Sequence, residues 1–247
     1  MRYPLSKLAR AGGLITSLFL LTTLIAPGKD FWEEKPYTQW NEQETIRMLT
    51  DSPWARSQTV LAGSLGAGQT DADSRITDLP NVATASGGRS SGAALSNAGV
   101  SFEANSSVPV YVRWYSSAKI REALGRLGQL QQNVPEGEVK RFVEQPQTDY
   151  LFAVVAPVMN SFNALSTSDF AAKTYLRSKK NKGKRIPLKA YSAPKDRPDG
   201  MAIFAFERQP EFGPEDEEVE FVAEGGTIRI KASFKLNKMT TDGKLDL

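Results

Sequence analysis

The chain holds 247 residues, 31 of them Lys or Arg and 28 Asp or Glu, with no Cys and no His. Those two absences exclude a disulfide framework, a thiolate nucleophile, Cys-ligated zinc, the usual imidazole general base and the Ser-His-Asp triad. Carboxylates, Lys, Tyr and Ser are what remain for catalysis, and no cofactor is implied.

Residues 1–28 read as a signal peptide. Arg2, Lys7 and Arg10 form a positive stretch, Ala11 to Ala26 is apolar, and Ala26-Pro27-Gly28 offers a small-residue cleavage site. The apolar run is shorter than the roughly 20 residues of a comfortable membrane span. Export to the periplasm or exterior is therefore favoured over a membrane anchor, and an uncleaved segment is the one route to a bilayer. This stretch takes three cations and no acid, so the remainder carries 28 charges of each sign and is formally neutral. Neutrality argues against a polyanion-binding protein, and nucleic acid is not an expected partner.

Residues 29–61 contain three of the four tryptophans, Trp32, Trp40 and Trp54. Asn41 with Glu44 makes a capping box, Ile46 and Leu49 share a helical face, and Asp51-Ser52-Pro53 stops the helix because the residue before proline resists helical geometry. The following "RSQTVLA" reads as a strand, with Val60 facing opposite to Thr59 and Leu61. Two readings compete. Either helix and strand belong to the main domain, with Trp40 and Trp54 sealing the sheet, or the segment is a tethered recognition peptide whose tryptophans anchor an unknown protein or envelope partner. A strand that needs a neighbour favours the first.

From Ala62 to Ser107 the sequence is rich in Gly, Ala, Ser, Asn and Asp, and such a segment cannot bury enough apolar surface to offset its ordering. It is expected to be a disordered low-complexity linker. Its "GSLGAG" lacks the glycine spacing and the lysine of a phosphate loop, and Asp71 with Asp73 lacks the rest of a calcium loop. Asn105-Ser106-Ser107 is a formal glycosylation sequon.

Residues 108–247 read as an α+β domain. Val110, Val112 and Trp114 alternate with Tyr111, Arg113 and Tyr115, a strand with two different faces. Ile120, Leu124, Leu127 and Leu130 then share a helical face behind Ser117 as cap. A second helix is expected from Gly137 to Glu144, with Val139, Phe142 and Val143 inward. "YLFAVVAPV" is apolar without alternation, as in a central strand buried on both faces. "STSD" at Ser166 to Asp169 suits a capping box. An Asn181-Lys182-Gly183 loop would pair Leu176 with Leu188 and Thr174 with Ala190. A Gly225-Gly226 turn would set Ala223 opposite Ile228, Phe221 opposite Ile230 and Val219 opposite Ala232.

That second hairpin gives the acidic run "EDEEVE", residues 215–220, a structural reading, because Glu220 would face Lys231 and Asp216 would face Lys235. The basic run Lys179, Lys180, Lys182, Lys184 and Arg185 sits at a hairpin tip without interleaved aromatics. A solvated tip is favoured there, although the run is the best candidate surface patch for an acidic partner. Ser116-x-x-Lys119 matches the spacing of a lysine-activated serine, but "STSDF" and "KTY" only echo the two further elements of that motif. Ser116 is not taken as a nucleophile.

The exported N-terminus, "KPYTQW", "DSPWA", and the C-terminal "EDEEVEFV", "IRIKASFKLNKM" and "DGKLDL" resemble a family of exported bacterial proteins. Its members share a Trp-bracketed helix and an acidic/basic C-terminal hairpin. The resemblance implies an architecture and a location, and no catalytic residues. The sequence therefore predicts a single α+β domain of mostly antiparallel sheet, with helices on one face. It is expected to be a non-enzymatic binding or structural module of the bacterial cell envelope, with Trp32, Trp40, Trp54 and the basic run as candidate partner-binding residues. The alternative is a carboxylate-dependent hydrolase such as a glycosidase, which needs an acidic pair with at least one raised pKa.

Overall fold

The computed structural model describes residues 30–67, 102–181 and 183–247. The expected signal peptide, Asp71, Asp73, most of the low-complexity stretch and Lys182 lie outside the described residues. Among those described, no helix is long and apolar enough to cross a membrane.

The tryptophan segment folds as its local signals dictate. A single turn of helix, α1 (Phe31–Glu34), precedes α2 (Glu42–Thr50). Asn41 Oδ1 accepts from the Glu44 N–H at 2.9 Å and Glu44 Oε2 accepts from the Asn41 N–H at 2.9 Å, so two of the helix's orphan donors are satisfied reciprocally. Past Pro53 the chain runs straight into β1 (Ala55–Leu61). This strand pairs antiparallel with β2 (Ser107–Trp114) from Ala55 opposite Arg113 to Leu61 opposite Ser107. The segment is part of the main domain.

The rest of the chain supplies α3 (Ala118–Gln132), α4 (Glu136–Glu144), β3 (Asp149–Val155), α5 (Asn160–Asn163) and α6 (Thr167–Ala171). Strands then dominate: β4 (Tyr175–Ser178), β5 (Arg185–Pro187), β6 (Ala190–Ser192), β7 (Ala202–Glu207), β8 (Glu218–Gly225), β9 (Ile228–Lys235), and the small hairpin β10 (Thr240–Thr241) with β11 (Lys244–Leu245). All pairings are antiparallel. The fold is α+β with mostly antiparallel sheet, divided into a five-stranded sheet in the order β1-β2-β3-β7-β6 and a four-stranded sheet in the order β5-β4-β8-β9.

The two sheets share one core. Phe152 of β3 stacks on Phe221 of β8 at 4.9 Å between centroids, and Phe234 of β9 lies 5.5 Å from Phe152 and 5.5 Å from Trp114. The opposite face of the first sheet packs Ala153, Val155, Met201 and Ile203 against Leu124 of α3. β3 is thus buried on both sides, which is why its sequence lacks alternation. At one side of the sandwich β1 meets β9 through side chains. Gln58 donates to the Arg229 carbonyl at 3.2 Å and accepts from the Lys231 N–H at 3.1 Å, while Arg56 Nε donates to the Ser233 carbonyl at 2.9 Å. Gln58 stands in for one peptide unit of a missing ladder, which protects an otherwise open edge.

Several expectations are corrected. The folded body extends into both ends of the 62–107 stretch: Ala62–Leu65 is a 3-10 turn with Ala62 and Leu65 buried. Its Ala62 and Gly63 N–H groups donate to the Ser106 and Ala104 carbonyls, each at 2.8 Å. Both hairpins keep the expected faces but shift by two residues. Leu176 faces Ile186, and Ala190 leaves for the first sheet, opposite Ala205. Gly225 faces Ile228, Phe221 faces Ala232, and Gly226-Thr227 makes the turn, with Gly226 at φ 52°. Gly225 is needed for another reason: a Cβ there would sit 2.7 Å from the Phe170 ring. Leu130 is 40% exposed rather than inward, and Arg113, on the strand face shared with Tyr111 and Tyr115, is buried.

Candidate functional site

Trp32, Trp40 and Trp54 are all core residues. Trp40 and Trp54 are fully buried and Trp32 nearly so. Trp32 meets Trp54 edge-on at 6.2 Å and Trp40 meets Phe31 at 5.4 Å. The indole N–H of Trp40 donates to the Lys35 carbonyl at 3.2 Å and that of Trp54 to the Asp246 carbonyl at 2.8 Å. Three buried rings, two of them with their indole N–H engaged, are not surface anchors, which corrects their candidacy as partner-binding residues.

Trp54 leads to a partly buried polar junction that sequence reasoning missed. The C-terminal segment returns so that Asp246 Oδ1 accepts from the Ala118 N–H at 2.6 Å and Oδ2 from the Lys119 N–H at 3.0 Å, which caps α3 from a distant part of the chain. Lys119 Nζ bonds Glu122 Oε2 at 2.8 Å. Burial raises the carboxyl of Glu122 above its ordinary value against the pull of Lys119, and the nearby Asp246 charge adds to the rise. Burial likewise raises Asp246, against its two backbone hydrogen bonds. Ser117 Oγ completes the start of α3 by accepting from the Ile120 N–H at 3.2 Å.

The Ser116-x-x-Lys119 match does not assemble. Ser116 Oγ accepts from the Leu151 N–H at 3.2 Å, whereas the Lys119 ammonium is held by Glu122. An open polar groove of about 430 Å³, lined by Thr38, Arg126, Gln129, Asn133, Val134 and Glu136, lies along the other half of α3. Among the described residues no three Asp or Glu side chains gather where they could hold a metal ion.

Arg113 is the second unforeseen feature. Its guanidinium is fully buried, donates from Nε to the Leu49 carbonyl at 2.8 Å near the end of α2, and has its nearest other partner in Met201 Sδ at 3.9 Å. Nη2 has no hydrogen-bond partner, and burial pushes the pKa down to about 10. The terminal carbonyls of α2 carry the negative end of the helix dipole and take the place of a counter-ion.

The two charge runs meet each other on the second sheet. Lys179 bonds Glu218 at 2.7 Å, Lys180 pairs with Glu217, and Lys184 bonds Asp216 at 2.6 Å. Glu220, nearly inaccessible, accepts from Arg177 at 2.5 Å and from Lys231 at 2.9 Å. The expected Glu220–Lys231 contact is thus present along the diagonal, while Asp216 takes Lys184 instead of Lys235, and Glu218 stands opposite Lys235. Arg185 lies 3.8 Å over the Tyr175 ring. Most of the basic run is therefore neutralised within the fold, which corrects its reading as a free patch. The outer face as a whole still carries Arg177, Lys179, Arg185, Arg229, Lys231 and Lys235 against Glu218, Glu220 and Glu224.

Comparisons with protein-family models, with curated proteins and with solved structures found no match.

Proposed function

We propose that this protein is an exported, non-catalytic binding or structural module of the bacterial cell envelope. One observation carries the non-catalytic part: the groups that could do chemistry are committed to the fold. Ser116 accepts from Leu151, Lys119 is tied to Glu122, and both Asp246 oxygens cap α3. Export rests on the positive, apolar and small-residue order of residues 1–28. A partner protein or envelope component would meet the exposed charged sheet rather than the tryptophans.

The hydrolase reading keeps one supporting observation, the raised pair Glu122 and Asp246. Against it, each carboxylate already has a strong partner on its own side of the junction.

The test is the intact mass of the protein recovered from a bacterial host after separation of cytosol, membrane and exported fractions. An exported species beginning at Lys29 is expected. A cytosolic species that retains residues 1–28 contradicts the reading.

A further inference from the structure

The chain from residue 29 onward is formally neutral, yet its charges are unevenly placed. On the outer face of the second sheet three carboxylates meet six cations. Arg185, Arg229, Lys231 and Lys235 are exposed there. The other described residues hold more carboxylates than cations. Such a dipole orients the molecule toward an anionic surface while leaving its net charge silent.

We propose that the outer face of the second sheet docks on an anionic lipid bilayer. This rests on the envelope location argued above. The four-stranded antiparallel face sets its outward side chains on neighbouring strands about 4.8 Å apart. Long Lys and Arg side chains on such a face can extend to a plane of headgroups while their stems stay on the sheet. The central carboxylate is already satisfied, since Glu220 is clamped by Arg177 and Lys231, so it does not repel an approaching phosphate as a free carboxylate would. The one aromatic ring among these charges, Tyr175, is covered by Arg185 at 3.8 Å. It is therefore not available as a stacking platform, and a headgroup surface suits the face better than single-stranded nucleic acid. The chain's own export step would bring the body to a membrane surface.

Each cation near an anionic leaflet strengthens partition by roughly fivefold, so a surplus of three predicts a preference on the order of a hundredfold over neutral lipid at low salt. The experiment is vesicle sedimentation of the chain from Lys29 onward, which retains every described residue. Vesicles of phosphatidylcholine alone are compared with phosphatidylcholine mixed with phosphatidylglycerol. Binding is expected only to the mixed vesicles, and raised salt should abolish it. The double variant Arg185→Glu/Lys235→Glu inverts the surplus and should lose that preference, with an unchanged near-ultraviolet circular dichroism spectrum as the folding control. Lys140→Glu/Arg141→Glu, on α4 beyond the opposite face of the sandwich, should retain it. Equal binding to neutral vesicles, no binding to either, or an unaffected sheet variant overturns the proposal. So does retention on dextran sulfate without any preference for anionic vesicles. A protein that is exported but fails this test leaves the envelope reading intact, whereas cytosolic retention removes that reading without altering the vesicle result.

Discussion

Replacing Glu220 with Gln takes one carboxylate from the middle of the second sheet while keeping its shape. The carboxylate accepts from Arg177 Nε at 2.6 Å, Arg177 Nη2 at 2.5 Å and Lys231 Nζ at 2.9 Å, and its side chain is 1% exposed. A charge-assisted hydrogen bond contributes about 1.5–3 kcal/mol. The cations here are 41% and 62% exposed, so solvent screens much of that, and about 2 kcal/mol is expected for the whole clamp. For a domain of this size that corresponds to a fall in Tm of about 6 °C. The pH dependence adds an independent reading. Burial works to raise the Glu220 carboxyl, but the hydrogen bonds from Lys231 and Arg177 outweigh it and hold the folded pKa below its ordinary value. As pH falls, the unfolded chain binds the proton first, so the clamp's contribution is complete above the ordinary glutamate pKa and is lost as pH drops through the folded pKa. Urea unfolding of parent and variant at neutral and at strongly acidic pH should therefore show a gap that narrows on acidification. A gap that stays constant with pH, or no gap at neutral pH, would show that the ionised clamp does not stabilise the fold.

Arg113→Met removes a buried charge whose pKa of about 10 implies a cost of about 3 kcal/mol at neutral pH. It also forfeits the bond to the Leu49 carbonyl, about 1–2 kcal/mol. The variant should be more stable by about 1 kcal/mol in urea, and a loss of stability would contradict the claim that burying this charge is a net cost to the fold. Gly125→Ala and Gly137→Ala should differ in sign. A Cβ at Gly125 would lie 2.4 Å from Val139 Cγ1, whereas one at Gly137 has nothing within 4 Å. Thermal melts should show Gly125→Ala destabilised by about 1–2 kcal/mol, net of the helix-propensity gain. Gly137→Ala should gain about 0.5–1 kcal/mol, and equal signs would show that the contact between α3 and α4 is not tight.

Features set by local chemistry were legible in the sequence. The Asn41 and Ser117 caps, the Pro53 stop and the unalternating β3 depend on residues close together in the chain. Strand faces were legible too, because a two-residue slip preserves side-chain parity. The registers themselves were not. Gly225 looked like a turn residue, while its real requirement is the approach of the Phe170 ring, 55 positions earlier in the chain. The division into two sheets depends on Ala190 crossing to pair with Ala205, which no neighbouring residue signals. Lys184 with Asp216 and Asp246 with α3 are likewise contacts between segments far apart in the chain. The burial of Arg113 was not legible, because alternation says which side chains share a face and not whether a helix end will cover that face.

The reactive-looking groups hold the fold together if Asp246→Asn destabilises it. An amide can accept at one oxygen only, so one of the Ala118 and Lys119 N–H groups loses its partner. The free energy of unfolding in urea is predicted to fall by about 1 kcal/mol, the relief of a buried charge offsetting part of the lost cap. A functional acid held under strain behaves the other way, since neutralising it stabilises the fold. A variant as stable as the parent, or more stable, would contradict the structural role of Asp246 and bring the Glu122 and Asp246 pair forward as a hydrolytic site.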